Sequence, residues 1–335
     1  MLGLPALTDG ALWRTVRRIG APVLVSANAL SVWRTDRLGL RRWQGFSRRN
    51  LHLVAQHPVM LDSGGFVAAV RYNGWEWTVP QYMALCAAAP WTRFASMDWC
   101  VEPEVAHDRD AVWDRISGTV RLNRDCLREA RHLGIADRFM PVIQGWQVDD
   151  YLRCIDLMFD LDPFPVVGVG SMCRRQVEGP TGILQVVHEL DQALGDSRVK
   201  LHLFGLKSQG MAEVRAHPRV FGFDSQAYGV TARQTARKAR VSKTDAYLAR
   251  EMERWYRHQR ALLDAPSYSF RAPRVPARAP VADPLDPFEA RLAQAREELR
   301  ELHEAGEIEW SDLSPLRLLE WIALDELPAG ADASA

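Results

Sequence analysis

Residues 59–66 read Val-Met-Leu-Asp-Ser-Gly-Gly-Phe, an apolar run that ends on an acid and passes into paired glycines. A run this short, bounded by turn formers, suits a strand buried on both faces of a parallel sheet. It would set the Asp62 carboxylate at the strand's mouth, where Gly64 and the next glycine let backbone approach a ligand closely. An Asx-type turn accounts for the same residues when they are taken alone.

The pattern recurs on both sides. Apolar runs at Pro22–Ser26, Arg93–Asp98, Phe139–Gln144, Val166–Gly170, Lys200–Phe204 and Val220–Asp224 alternate with helical periodicity, notably at Asp110–Leu133, Asp149–Asp160, Gly182–Leu194 and Gln209–His217. That is the rhythm of βα units around a parallel sheet. Seven strands are legible and an eighth is not. Asp62, Asp98, Gln144, Gly170, Gly205 and Asp224 lie at or just past strand ends, the face where barrel active sites are assembled. The expectation is an α/β protein with a (β/α)8 TIM-type barrel over residues 1–262, although a doubly wound sheet shares the alternation. A Pro/Arg-rich linker is expected over 263–287, a helical extension over 288–326 and a disordered tail over 327–335. The extension's two amphipathic patterns, Phe288–Glu304 and Leu313–Leu324, suit capping of the barrel bottom or contact with a protein partner.

Lys plus Arg and Asp plus Glu both number 42, so net charge gives no sign of a nucleic-acid partner, but the distribution does. Residues 231–260 are basic, with Arg233, Arg237, Lys238, Arg240 and Lys243 at their head, whereas residues 281–335 are acidic. A second arginine-rich stretch holds Arg34, Arg37, Arg41, Arg42, Arg48 and Arg49 with Trp33 and Trp43 interleaved, a composition that suits phosphates and stacked bases. Five dispersed cysteines without a Cys-x-x-Cys pair indicate neither a disulfide framework nor a zinc knuckle, and a reducing cytoplasm fits them best. No run approaches the ~20 apolar residues of a membrane span, and no His-x-His or His-Glu-x-x-His spacing points to a metal. No cofactor is expected.

The strand-end segments carry the chemistry. In Ala95-Ser96-Met97-Asp98-Trp99-Cys100 an acid ends an apolar run and can accept from purine N–H groups; in Val142-Ile143-Gln144-Gly145 an amide can both donate and accept. Val166-Val167-Gly168-Val169-Gly170 leaves room against backbone, but its glycine spacing is not a dinucleotide fingerprint. Leu203-Phe204-Gly205-Leu206 offers an aromatic face, and Gly222-Phe223-Asp224-Ser225 a second carboxylate suited to attack on an anomeric carbon.

In this order, across about residues 60–230, the motifs Asp-Ser-Gly-Gly-Phe, Met-Asp-x-Cys, Gln-Gly, Gly-Val-Gly, Leu-Phe-Gly-Leu and Phe-Asp-Ser resemble the tRNA-guanine transglycosylase superfamily. The resemblance implies a pentosyltransferase in which Asp224 is the nucleophile toward ribose C1′ and Asp62 the acid/base partner. It implies a base pocket of Ser63, Gly64, Phe66, Asp98, Cys100, Gln144, Gly145, Gly168, Gly170, Phe204 and Gly205, with Phe66 and Phe204 against the base faces. The family's tRNA-modifying members carry a zinc site after the nucleophile, yet here no cysteine follows Cys173; Trp99 and Trp146 are further departures. Shortened, zinc-free relatives are associated with 7-deazaguanine derivatives in DNA. The motif resemblance alone does not separate DNA from tRNA; the missing zinc site favours DNA as the partner, with a 7-deazapurine such as 7-cyano-7-deazaguanine as the incoming base. The same exchange on tRNA is the nearest alternative, and a non-catalytic nucleic-acid-binding subunit is a second.

Overall fold

A computed structural model describes residues 1–266, 270, 273 and 286–325. In chain order the elements are β1 (Leu2–Leu4), α1 (Ala11–Ile19), β2 (Val23–Ser26), β3 (Ser31–Thr35), β4 (Arg41–Phe46), β5 (Val59–Asp62), α2 (Gly65–Val67), α3 (Val79–Ala87), β6 (Arg93–Ala95) and α4 (Arg109–His132). There follow β7 (Phe139–Met140), β8 (Val142–Ile143), α5 (Val148–Leu157), β9 (Val166–Val169), α6 (Ile183–Leu194), β10 (Lys200–Leu203), α7 (Ser208–Val214), β11 (Val220–Phe223), α8 (Ala227–Ala239), α9 (Asp245–Asp264), α10 (Pro287–Ala305) and α11 (Pro315–Asp325). The chain is thus α/β with parallel strands. Among the described residues no helix is long and apolar enough to cross a membrane, and all five cysteines are free thiols.

Two parallel sheets run β1-β2-β5-β6-β7 and β11-β10-β9-β8. Only Pro141 separates β7 from β8: it has no N–H to give the ladder, but its carbonyl accepts from Gly168 N at 2.8 Å. At the other edges β1 meets the chain just beyond β11, where Leu2 bridges Ser225 in parallel and Gly3 N donates to Ser225 O at 3.0 Å. Side chains alternate along the strands. Leu24, Met60, Ala95, Met140, Val142 and Val166 pack together on one face, while Val23, Val25, Val59, Leu61, Phe94 and Phe139 join the helices on the other.

Polar caps start several helices. Thr78 and Gln81 form a capping box on α3, Asp108 accepts from Ala111 N ahead of α4, and Asp286 caps α10 with Pro287 in its first turn. Helix α10 lies along α4. There the buried Arg300 donates to Asp114 Oδ1 (2.8 Å) and Asp110 Oδ1 (3.0 Å), and Trp310 stacks on Trp99 with centroids 4.6 Å apart. A Cβ on Gly118 would fall 2.6 Å from Trp310 and 2.7 Å from Trp99, so that glycine admits both indoles. The expected linker and tail lie largely outside the described residues, although 263 and 264 continue α9.

Candidate active site

Because the strands are parallel, their C-terminal ends meet at one end of the molecule. Asp62 closes β5, Asp98 follows β6, Gln144 follows β8, Gly170 follows β9, Phe204 and Gly205 follow β10, and Asp224 follows β11. A cavity of about 550 Å3 opens there, lined by all seven of these together with Gly64, Phe66 and Cys100. Among the described residues no group of three His, Cys, Asp or Glu side chains is arranged to hold a metal ion.

Ser63, Gly145 and Gly168, expected in the base pocket, lie behind this lining. Ser63 is fully buried and its hydroxyl donates to Asp98 Oδ1 at 3.0 Å. A Cβ on Gly145 would fall 2.8 Å from Asp150 Cβ, so this glycine admits α5, and one on Gly168 would meet Phe204 Cε2 at 2.5 Å. Their lack of a side chain serves packing that positions neighbours.

The floor of the cavity is a polar chain with a defined direction. Val101 N donates to Ser171 Oγ and Ser171 Oγ donates to Gln144 Oε1, both at 2.8 Å, while Gln144 Nε2 donates to Asp98 Oδ2. One lone pair of the Gln144 carbonyl is thereby taken, the orientation of the amide is set, and its second amide hydrogen remains available to a ligand. Asp98 takes one donor on each oxygen and keeps lone pairs for more. Gly170 makes room for this arrangement: a Cβ there would sit 2.0 Å from Gln144 Nε2. Gly170→Ala is therefore expected to displace the amide and weaken binding of a ligand in the cavity roughly 10- to 100-fold, about the 1–3 kcal/mol of a buried polar contact. Calorimetric titration of both proteins with guanine, the base that the sequence resemblance implies, checks this.

Of the four carboxylates that line the cavity, three stand at or just past strand ends, and their surroundings differ. Burial, then the negative charges of Asp98 and Asp224, raise the Asp62 carboxyl to about 7, against the Gly64 amide that donates to it at 3.1 Å. Burial raises Asp98 to about 6, opposed by its bonds from Gln144 and Ser63. Asp224 Oδ1 accepts from Gly205 N at 3.1 Å and lies 3.3 Å from His202 Nε2, whereas no donor among the described residues is bonded to Oδ2. One oxygen is held and the other is left without a donor among the described residues. Gly205 reaches it with a φ of +67°, a conformation that suits glycine.

Sequence reasoning missed several supports. His202 is fully buried and orients Asp224. Its signal was its place two residues before Phe204, hence on the same strand face. Ser171 holds a φ of +54°, rare for a residue with a side chain, and nothing in the sequence marks it. Arg175, also buried, donates to the carbonyls of Ser171 (2.8 Å), Gly145 (2.9 Å) and Trp146 (2.7 Å), which ties the turns after β8 and β9 together. Lys207 and Glu102 line the cavity as well.

The basic stretch divides in two. On α9, Arg254, Arg257 and Arg260 are ion-paired with Glu251, Glu253 and Asp264. Arg233, Arg237, Lys238, Arg240 and Lys243, on α8 and just after it, are exposed and form no ion pair among the described residues. Helix α8 starts at the cavity, whose wall includes Ala227 and Val230, so these cations lead away from its mouth.

No curated protein matches the chain. A family model described as DpdA, DeoxyPurine in DNA protein A, matches residues 13–273, which contain every strand-end residue of the cavity just described. The chain belongs to the DpdA family.

Proposed function

We propose that the protein exchanges guanine in DNA for a 7-deazaguanine derivative, 7-cyano-7-deazaguanine being one, through a glycosyl-enzyme formed on Asp224. It is on this reading a pentosyltransferase. The observation that carries it is a single cavity in which Asp224 offers an unbonded oxygen beside a carboxyl, Asp62, raised to about 7. The family description supports DNA as the substrate. Two carboxylates in one cavity favour catalysis over binding alone.

The expected barrel agrees with this reading. Counting β7 and β8 as one, eight strands would form a closed (β/α) barrel over residues 1–262, with the bond from Gly168 to Pro141 and the bridge from Leu2 to Ser225 as its two seams. The cavity then sits at the barrel's C-terminal mouth, and α10, from the expected helical extension, braces α4.

Target guanine occupies the slot between Phe66 and Phe204. Asp98 accepts from N1–H and the exocyclic amine, and the free Gln144 amide hydrogen reaches O6. Asp224 Oδ2 attacks C1′; the electron pair of the C1′–N9 bond leaves with guanine, which takes the Asp62 proton. Guanine departs and a deazapurine enters. Asp62, now a carboxylate, removes its N9 proton, N9 attacks C1′, and the C1′–Oδ2 bond breaks. Both acids return to their starting states. Lys207 and the α8 cations hold the phosphates.

Incubation with labelled 7-cyano-7-deazaguanine and either DNA or tRNA tests the proposal: label is expected in nucleosides from DNA, and label in tRNA alone would refute the DNA substrate. Glutamate at Arg233, Arg237 and Lys238 together should weaken DNA binding similarly for all sequences. The slope of log affinity against log salt should fall by about one per lost phosphate contact, measured by titration at several salt concentrations.

A further inference from the structure

The chemistry above makes no use of residues 31–46, which form an antiparallel hairpin of β3 on β4 with Trp33 opposite Trp43 and Thr35 opposite Arg41. It leaves the strand-end face at β2, whose last residue, Ser26, lines the cavity and pairs in register with Asp62. Its base is anchored by aromatic contacts. Trp43 packs on Phe46 (5.1 Å) and Trp77 (5.9 Å), and Trp33 on Tyr72 (4.7 Å). The tip is fixed too: the Asp36 carboxylate accepts from Leu38 N and Leu40 N at 2.9 Å and from Arg42 Nε at 3.0 Å.

That rigid tip presents Leu38 at 83% exposure and Leu40 at 54%, an unfavourable display in water. Around it Arg34, Arg37 and Arg41 are exposed without an ion pair among the described residues. Arg41 lies over the Trp33 ring at 5.0 Å, which leaves its charge without a carboxylate partner among the described residues. Leucines flanked by guanidiniums free of ion pairs match DNA, in which apolar side chains insert between base steps and arginines take the phosphates. A two-stranded ribbon is also narrow enough for the major groove. The cavity supplies the need, because Asp98 is only 7% exposed and a base paired in a duplex cannot reach it without leaving the stack.

We propose that the hairpin is a wedge that enters duplex DNA beside the target, with Leu38 filling the gap left by the extruded guanine and Arg34, Arg37 and Arg41 on the flanking phosphates. The inference rests on the base-exchange reading and adds that the substrate is double-stranded.

A duplex carrying 2-aminopurine beside its guanines reports unstacking by fluorescence, whether or not chemistry follows. The wild-type chain is expected to raise the signal and Leu38→Ala to lose most of the rise, with Leu38→Met restoring it. Exchange by Leu38→Ala should fall ~10- to 100-fold on duplex, matching the few kcal/mol of unstacking, and stay within about twofold on a single strand of the same sequence. Equal losses on both substrates, or an unchanged fluorescence rise, would overturn the wedge. Wild-type exchange confined to single strands would overturn it while leaving base exchange intact. Unstacking that depends on Leu38 but is followed by no exchange would support the wedge and remove the function proposed for the cavity.

Discussion

Asp224→Asn is expected to lower base exchange by ~10^4-fold or more, the scale of losing a covalent nucleophile, and to leave no protein–DNA adduct. The substitution keeps the shape of the side chain and an oxygen that can accept from Gly205 N and face His202 Nε2. The fold should therefore stand, and an unchanged melting temperature would show it. What is lost is the carboxylate oxygen that, on the proposed mechanism, forms the bond to C1′. Base binding should survive, because Asp98 and Gln144 reach the slot from other strands. Binding without exchange in this variant would separate nucleophile from pocket. Exchange at the wild-type rate would remove Asp224 from the mechanism.

Asp62→Asn should move activity and stability in opposite directions. Exchange should fall ~10^2- to 10^4-fold, the range for losing a positioned acid/base group, since on the proposed mechanism Asp62 passes the proton to guanine and takes it from the incoming base. Stability follows from the raised carboxyl. Below about pH 4 both folded and unfolded chains hold the Asp62 proton, so the residue has no pH-dependent effect. Between there and about 7, where Asp62 titrates in the fold, the unfolded chain has released its proton and the folded chain has not. Folding therefore loses stability as pH rises through this window, and the loss is complete above it. The neutral Asn escapes the loss, so the variant should be more stable than wild type at pH 8, by at most about 4 kcal/mol from a rise of about three pH units and by less to the extent that water in the cavity screens the charge. The two proteins should converge at pH 4. Denaturant melts at both pH values check this. A residue that merely supported the fold would give lower stability at pH 8 instead.

The legible parts of the fold were those with one-dimensional signals. Val59–Asp62 and Val166–Val169 are apolar on both faces and stop at a polar or glycine residue, so their ends, and with them Asp62 and Gly170, stand out in the sequence. Three residues, Leu-Gly-Leu at β1, carry no period at all; the strand is recognisable only from its partners on β2 and at Ser225. The run read as one strand over Phe139–Gln144 is divided because Pro141 cannot donate to the ladder. The hairpin is legible in the sequence only as an arginine-rich stretch, since its charges mask the alternation that its aromatic residues supply.

The site divides in the same way. Carboxylates and the amide at strand ends were legible by position, and the cavity lining includes them. Gly145 and Gly168 were read as ligand contacts, but what their missing side chains admit is α5 and the Phe204 ring, which depends on contacts distant in sequence. The bond from Gly205 to Asp224 joins turns after adjacent strands, and Asp62 owes its raised carboxyl partly to Asp98 and Asp224, from two other strands. Neither follows from spacing.

The central claim is covalent: guanine leaves DNA as the sugar passes to Asp224. Acid quenching of the protein mixed with guanine-containing DNA, without added deazapurine, followed by digestion and peptide mass mapping, tests it most directly. The account predicts a nucleotide adduct on the peptide containing Asp224, formed with one free guanine released per adduct and discharged when 7-cyano-7-deazaguanine is added. Guanine release with no adduct, or an adduct on a peptide that excludes Asp224, would contradict it.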